Sequence, residues 1–200
     1  METKNSGFAR NVKLNLNKKF MNNLRKKYLK EVIPALKKEF NKSNDWAIPK
    51  PGKVTLNVGL SRAIDNKEFK QEIVNDLMVI TGQVPVLVKS RKSISGFKVR
   101  EGQEIGAMVT LRGRKMWDFI ERFIRITLPR TRDFRGIKRS CVDKNGNFNC
   151  GVKEQLVFPE IYHDNIKSIF SLQVTVTTTG DNQKEGLRLF ELLGFPIQKK

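Results

Sequence analysis

The chain has 200 residues and a formal net charge of +19, because 39 Lys and Arg residues outnumber 20 Asp and Glu residues. This length suits one compact domain, or at most two small ones. Such a charge destabilises the compact state through self-repulsion, so we expect a polyanionic partner, with nucleic acid first and an anionic membrane surface second. No apolar run approaches the roughly 18 residues of a membrane span, and no short apolar segment follows the basic N-terminus. The sequence therefore predicts neither a membrane-spanning helix nor a secretory signal.

The first part of the chain is predicted to contain an extension, a helix and a linker. Residues 1–17 are polar and rich in Asn and Lys, and we interpret them as an extension that is disordered unless RNA holds it. Residues 18–200 are expected to form a single domain. Its first helix is predicted over residues 18–41, where apolar side chains recur at helical spacing: Phe20, Leu24, Tyr28, Val32, Leu36 and Phe40. Pro34 should kink or break this helix, because proline lacks a backbone N–H.

Strands and helices alternate after a linker at residues 41–53. The predicted strands cover residues 54–58, 84–88, 107–112 and 172–179. Residues 130–153 between them are expected to be irregular, with a turn at Asn145 and Gly146. The irregular spacing predicts an α+β fold, in which a mainly antiparallel sheet has helices packed on one face. Its other face would remain free to meet RNA.

Three further helices are predicted from their start and stop signals. Asp65 and Glu68 form a capping-box pattern, and the helix they open would bury Phe69, Ile73, Leu77 and Ile80 and end at Gly82. The next helix is expected from Lys115 to about Leu128, stopped by Pro129. Asp181 is predicted to cap the last helix, which ends at Gly194.

Positive charge is clustered along the sequence. Residues 1–53 hold 14 Lys and Arg against 4 Asp and Glu, and residues 112–139 hold ten against three. The segment from Lys89 to Arg100 holds five cations and no acid, together with Gly96 and three serines. Small flexible residues let a backbone approach a phosphate chain that Lys and Arg neutralise, so we interpret this segment as a nucleic-acid-binding loop. Phe97 within it would either stack on a base or anchor the loop.

Short polar residues mark the exposed face of the predicted sheet. Alternation places Thr110 and Arg112 on one face and Leu111 on the other, and it places Asn57 opposite its apolar neighbours. Such groups can hydrogen-bond ribose 2′-hydroxyls and phosphates. Ordinary solvated strand residues would show the same pattern, and composition does not decide between the two interpretations.

The sequence offers little material for catalysis or metal binding. Cys141 and Cys150 either close a short disulfide loop or are free, packed thiols, and we favour free thiols. With His163 as the single histidine, the usual four-ligand zinc site and most histidine-dependent mechanisms lack their residues. Asp118 and Glu121 are expected on a helix surface, paired with basic neighbours. We therefore expect no enzymatic activity, no metal and no cofactor.

Seven segments of the sequence match the pattern of one known family in their order along the chain. They cover residues 54–57, 81–83, 91–100, 109–113 with 116–117, 128–136, 154–161 and 177–179. On these segments the chain, over roughly residues 20–197, resembles the family of the universal large-subunit ribosomal protein L-five, in its bacterial form.

The resemblance implies a fold akin to RNA-recognition domains and binding to 5S ribosomal RNA in the central protuberance of the large subunit. In the family the sheet face makes this contact, and the matching positions are Asn57, Gln83, Thr110 and Arg112. The family's basic loop reaches the transfer RNA in the peptidyl site, and it corresponds here to Lys89, Arg91, Lys92, Ser93, Lys98 and Arg100. Further partners implied are large-subunit rRNA, neighbouring ribosomal proteins and, through the region after Arg132, a protein of the small-subunit head. No membrane partner is implied.

The sequence departs from the family in residues 1–17, around Asp45 and Trp46, and from Cys141 to Cys150. The last departure leaves the intersubunit contact open, whereas RNA binding is still expected. Sixteen asparagines and a preference for Lys over Arg indicate an AT-rich genome. This bias favours an organelle ribosome in the mitochondrial matrix, with a plastid or a bacterial cytoplasm as alternatives.

Overall fold

The computed structural model of the chain describes residues 23–61, 66–97, 99–132, 134–161 and 168–198. The predictions for residues 1–22, including the N-terminal extension and Phe20, therefore lie outside the described residues, as do those for Asp65, Lys98 and His163. The strands are β1 (Pro51–Gly59), β2 (Val86–Lys89), β3 (Glu104–Leu111), β4 (Phe148–Val152) and β5 (Leu172–Thr178). The helices are α1 (Asn23–Lys27), α2 (Ile33–Phe40), α3 (Lys67–Thr81), α4 (Gly113–Arg122), α5 (Leu128–Arg130) and α6 (Gln183–Leu193).

The five strands form one antiparallel sheet in the order β2-β3-β1-β5-β4. β1 lies at its centre, where Leu56 pairs with Val109 of β3 and with Val174 of β5. The helices pack on the apolar face of this sheet, so the predicted α+β architecture is confirmed. The strand after Pro85 lies at an edge of the sheet, where the missing N–H of a proline costs no ladder hydrogen bond.

Side chains from one face of the strands and from the helices form a single apolar core. Phe148 of β4 lies at one end of it, with ring centroids 5.4 Å from Phe190 of α6 and 4.9 Å from Phe195 beyond that helix. All three rings are buried. Tilted contacts of this kind stabilise beyond the burial of area alone, and here they fasten the last helix to the edge strand.

The predicted helix at residues 18–41 is observed from Asn23 to Phe40, and Pro34 does not break it, because the backbone stays right-handed helical. The irregularity precedes the proline and is a widened π-helical turn over Tyr28–Val32, which separates α1 from α2. Leu24, Tyr28, Val32 and Leu36 are buried, as their spacing predicted. A proline one residue into α2 is tolerated because its missing N–H falls in the first turn of the new segment.

Several predicted boundaries were wrong. β1 begins at Pro51 rather than residue 54, and the region expected to be irregular contains strand β4. The helix expected from Lys115 begins at Gly113 and runs through a second π-helical turn and past Pro129 to Arg130, because that proline lies in the first turn of α5.

The helix caps were predicted one residue too early. α3 is capped by Asn66, whose side-chain oxygen accepts a hydrogen bond from the Phe69 N–H at 3.0 Å. The cap position of α6 is Asn182 rather than Asp181. Both helices end as predicted at Gly82 and Gly194, each in the left-handed conformation that glycine adopts without strain.

A tight turn at residues 143–147 supports α6. The Asp143 carboxylate accepts hydrogen bonds from the backbone N–H groups of Asn145, at 3.0 Å, and Asn147, at 2.7 Å. The turn brings Gly146 so close to Gly186 of α6 that a Cβ on Gly186 would lie 2.4 Å from the Gly146 Cα. The turn predicted at Asn145–Gly146 is thus confirmed, and it forms a backbone-to-backbone contact with the last helix.

Replacing Asp76 by asparagine is expected to stabilise the protein at neutral pH. Burial and the neighbouring Glu72 carboxylate raise the pKa of Asp76 to about 6, and its Oδ2 is buried without a hydrogen-bond partner among the described residues. The folded state therefore holds a proton more tightly than the unfolded chain. The resulting stability is present below a pH of about 4 and is lost as the pH rises through about 6. With partial solvent screening, we expect D76N to raise the free energy of unfolding by about 1 kcal/mol at pH 7.5.

Denaturant unfolding of both proteins between pH 3.5 and 8 measures this difference. The two curves should converge at the acid end, where Asp76 is protonated in both states. A constant offset at every pH would contradict the assignment, since it would show an effect independent of the charge.

Candidate RNA-binding surface

The sheet face opposite the helices carries short polar side chains in register. Residues Val54, Leu56 and Val58 of β1 point into the core and are buried, so the alternate residues face outward. Thr55 pairs with Thr110 of β3 on one side and with Thr175 of β5 on the other. The register extends this row to Asn149 of β4, and the adjacent row contains Met108, Asn57, Gln173 and Gly151. We call these two rows the open face.

The structure brings three of the four predicted RNA-binding residues together at one end of the open face. The Gln83 side-chain amide donates to the Thr110 carbonyl at 3.4 Å, and Arg112 follows Thr110 by two residues on the same side of the chain. Leu111 between them is fully buried, so the predicted alternation is confirmed. Lys115 helps to hold this end, since its ammonium group donates to the Gly82 carbonyl at 2.9 Å.

Asn57, the fourth predicted residue, lies one row away. It is exposed and pairs with Met108 of β3 and Gln173 of β5, so it occupies the middle of the open face. Thr110 and Asn57 are diagonal neighbours across the β1–β3 ladder, a separation that the side chains of a single bound nucleotide strand can span.

The charge of this surface favours an anionic ligand. Glu104 is the single carboxylate in the five strands, and it forms an ion pair with Lys70 of α3. Arg112 is exposed and forms no ion pair with another described residue. Arg114 next to it is 72% exposed and reaches Asp118 only at 3.7 Å. A polar floor with exposed cations at its end is suited to a ribose–phosphate backbone.

Sequence reasoning missed the other half of the open face. Thr175 donates from its hydroxyl to the Asn149 side-chain oxygen at 2.8 Å, which links β5 to β4. A shallow groove of about 440 Å³ lies beside this pair, and its lining includes Asn57, Gln173 and Lys153. Alternation in residues 172–178 would have indicated Thr175 and Gln173, but Asn149 had no signal because β4 was not predicted.

The basic loop between β2 and β3 is a small hydrogen-bonded hairpin. Ile94 and Val99 exchange backbone hydrogen bonds of 2.9 and 3.2 Å, and the Ser93 hydroxyl accepts from the Glu101 N–H at 2.9 Å. The predicted contact residues Lys89, Arg91, Lys92, Ser93 and Arg100 are all exposed, and none of them forms an ion pair with another described residue. Lys98, the remaining predicted residue, lies outside the described part of the chain.

Phe97 does not anchor this loop. Its side chain is 76% exposed and that of Ile94 is 50% exposed, so neither is buried against the core. The anchoring interpretation of Phe97 was therefore wrong, and the hairpin is held by backbone hydrogen bonds. An exposed aromatic ring among cations remains free to stack.

The other candidate residues have structural roles. Glu121 is buried rather than on a helix surface: its carboxylate reaches Arg125 at 3.2 Å and accepts from the Leu24 N–H at 3.4 Å, which joins α4 to α1. The preferred interpretation of Cys141 and Cys150 as free thiols is confirmed. Burial, and to a lesser degree the nearby Cys141, raise the pKa of the Cys150 thiol to about 11, so it stays protonated and a poor nucleophile.

Two kinds of feature are absent from the described residues. They contain no group of three or more His, Cys, Asp or Glu side chains arranged to hold a metal ion. Within the same ranges, no helix combines the length and apolar character needed to cross a membrane.

Comparison with known proteins matches almost the whole chain to one family. A family model described as Ribosomal protein L5 matches residues 44–100, and a second model, which describes the C-terminus of the same ribosomal family, matches residues 104–197. The Large ribosomal subunit protein uL5 of Desulfatibacillum aliphaticivorans is 46% identical over 179 residues, which cover 90% of this chain and 100% of the relative. The protein of the same name from Geotalea uraniireducens (strain Rf4) is 46% identical over 178 residues, covering 89% and 99%.

The chain belongs to the ribosomal protein L5 family. It is therefore a structural, non-enzymatic constituent of the large ribosomal subunit, as the sequence predicted. The two L5 family models meet in the turn between the basic loop and β3, so Asn57 and Gln83 fall in one matched region and Thr110 and Arg112 in the other. The pairing of β1 with β3 joins both regions into one L5 surface.

Proposed function

We propose that this protein binds 5S rRNA within the large subunit through the open face and its basic end. The observation that carries the proposal is the combination of an acid-poor polar sheet face with Arg112 exposed beside Gln83 and Thr110. Hydroxyl and amide groups on the strands can bond ribose 2′-hydroxyls, while Arg112 and Arg114 neutralise phosphates at the end of the sheet. The helices cover the other sheet face, so the core is not disturbed by binding.

Binding to isolated 5S rRNA should weaken steeply as salt concentration rises. Each neutralised phosphate releases counterions and contributes about 0.7–0.9 to the slope of log affinity against log salt. Filter binding between 50 and 300 mM KCl measures this slope, and about four to six phosphate contacts would give a value near −4. An affinity independent of salt, or migration of the protein away from ribosomal particles in low-salt gradients, would contradict the proposal.

We further propose that the basic loop contacts transfer RNA in the peptidyl site. Lys89, Arg91, Lys92 and Arg100 are exposed cations on the hairpin that connects β2 to β3, next to the last pair of these strands, Lys89 and Glu104. Phosphate contacts position a ligand without reading its sequence, which suits a site that must accept every transfer RNA. A self-repelling loop of this kind should also gain order when the transfer RNA is present.

The R91A/K92A double variant should retain peptidyl-site transfer RNA about 3- to 10-fold less well than the wild type, because two charge-assisted contacts are removed. Its affinity for 5S rRNA should be nearly unchanged, since the loop lies apart from the open face. A K67A/K184A double variant removes the same charge from exposed helix positions and serves as the control. Equal losses of transfer RNA in both variants would show a general charge effect and would overturn the role of the loop.

We also propose a location for the protein within the ribosome and within the cell. The central protuberance would be the place of the protein if it binds 5S rRNA, and contacts with large-subunit rRNA, neighbouring proteins and a small-subunit head protein would follow from that position. The two relatives described above are bacterial, which supports the ribosome of a bacterial cytoplasm. The Asn-rich, Lys-rich composition is what supports a mitochondrial ribosome instead. Fractionation of the source cells, followed by sedimentation, separates these compartments.

A further inference from the structure

A second concave surface lies on the helical side of the molecule, away from the open face. It is a groove of about 450 Å³ between the first helix and the segment that leads into β1. Tyr28 and Trp117 form part of its floor, with ring centroids 5.4 Å apart. Trp46, one of the two tryptophans in the chain, stands at its rim and is 83% exposed. We call this surface the Trp46 groove.

The segment that presents Trp46 is held firmly. The Asn44 side-chain oxygen accepts from the Trp46 N–H at 3.0 Å, and the Tyr28 hydroxyl donates to the Pro49 carbonyl at 3.1 Å. Lys50 forms two hydrogen bonds with Thr179, its N–H donating to the hydroxyl at 3.1 Å and its carbonyl accepting from the N–H at 3.0 Å. A backbone fixed by these bonds around Trp46 lowers the entropic cost of ordering the segment when a ligand binds there.

The charges around the groove favour a polyanion. Lys50 places its ammonium group 5.0 Å from the centre of the Trp46 ring, and Arg25 also lines the groove. The one carboxylate in the lining is that of Asp45, and it forms an ion pair with Lys37. Next to Arg25 on the same helix, Lys26, Lys27 and Lys30 line a smaller cleft of about 260 Å³, in which four cations outnumber the single carboxylate of Glu31. An aromatic surface thus adjoins a strip of cations.

We propose that the Trp46 groove binds an unpaired nucleotide of RNA. The base would stack on the exposed face of the Trp46 indole, as bases stack on aromatic side chains in single-stranded RNA sites. Arg25 and Lys50 would contact its phosphate, and Lys26 and Lys30 the phosphates that follow along the helix. The proposal is independent of 5S rRNA binding by the open face, because the two surfaces share no residue.

Binding of a single-stranded oligoadenylate of eight nucleotides to the full chain tests the proposal. W46A should bind it about 10-fold more weakly than the wild type, whereas W46Y, which keeps a ring for stacking, should bind within about threefold. K184A, which removes one exposed charge from α6, should bind the oligonucleotide as the wild type does. Ultraviolet cross-linking followed by mass spectrometry should attach the RNA to the peptide that contains Trp46. Thermal unfolding shows whether each variant is folded, and an 83% exposed side chain should tolerate both changes.

Two results would overturn the proposal. In the first, folded W46A binds the oligonucleotide as tightly as the wild type, or W46Y loses as much affinity as W46A. In the second, a polyglutamate peptide of equal charge, added at the same concentration, displaces the oligonucleotide from the wild type but not from W46A. That result would identify the groove as a protein-binding site. If W46A loses oligoadenylate while K184A retains it, the proposal stands whether or not the open face binds 5S rRNA.

Discussion

Replacing Arg112 by alanine is expected to weaken binding of 5S rRNA by about 10- to 100-fold, which corresponds to a charge-assisted contact of about 1.5–3 kcal/mol. Arg112 is exposed at the end of the open face, beside the Gln83–Thr110 hydrogen bond. Removing one phosphate contact should also reduce the magnitude of the salt slope by about one. Filter binding of both proteins over a salt series measures the two effects together.

K184A is the matched control for R112A, since it removes one exposed charge from α6 on the helical side of the sheet. It should change the affinity for 5S rRNA by less than about twofold. Because Arg112 has little contact with the core, R112A should unfold at the same denaturant concentration as the wild type. Normal RNA binding by R112A, or weak binding that merely follows unfolding, would remove Arg112 from the RNA surface.

Replacing Gly186 by alanine is expected to lower the free energy of unfolding by about 3 kcal/mol. The new Cβ would lie 2.4 Å from the Gly146 Cα and 2.5 Å from its carbonyl oxygen, and these are backbone atoms that no rotamer change can move. The Gly146 carbonyl also accepts from the Thr178 hydroxyl at 3.0 Å, so relief of the clash would disturb the end of β5. Urea unfolding followed by circular dichroism measures the loss.

Gly151→Ala provides the comparison, because a Cβ at Gly151 of β4 would have no neighbour within 4 Å among the described residues. It should be neutral or slightly stabilising, since alanine restricts the unfolded chain more than glycine does. If Gly186→Ala is as stable as Gly151→Ala, the close approach of α6 to the turn at residues 143–147 is incorrect.

The parts of the fold that local patterns determine were predicted from the sequence. Strict alternation identified the core residues of β1 and β3, and Gly82 and Gly194 marked the ends of two helices. Strand β4 was not predicted because Phe148–Val152 contains one strongly apolar aromatic residue, a glycine and no clear alternation. Its extended structure comes from pairing with β5. The caps were misplaced because Asp and Asn are equally good caps, and adjacent candidates cannot be separated by type.

The candidate site, too, was predicted where local patterns determine it and missed where distant residues must meet. Alternation alone placed Thr110 and Arg112 on one side of the chain. The hydrogen bond from Gln83 to Thr110 joins residues 27 positions apart. The row that runs from Thr110 through Thr55 to Thr175 depends on strand register, which pairs residues more than 50 positions apart. Trp46 is conspicuous in the sequence, but the hydrogen bonds that hold residues 44–50 include partners distant in the chain, Tyr28 and Thr179.

The central position of β1 determines when this protein can complete its sheet during synthesis. Leu56 of β1 must pair with Val174 of β5, 118 residues later (174 − 56 = 118), and β4 joins the sheet only through β5. Until the ribosome has made residues 172–178, one side of β1 remains an unpaired edge with an apolar face, the kind of surface that invites aggregation. The nascent chain therefore needs protection from aggregation until its synthesis is almost complete. Its dense positive charge provides one form of protection, because like charges keep nascent chains apart.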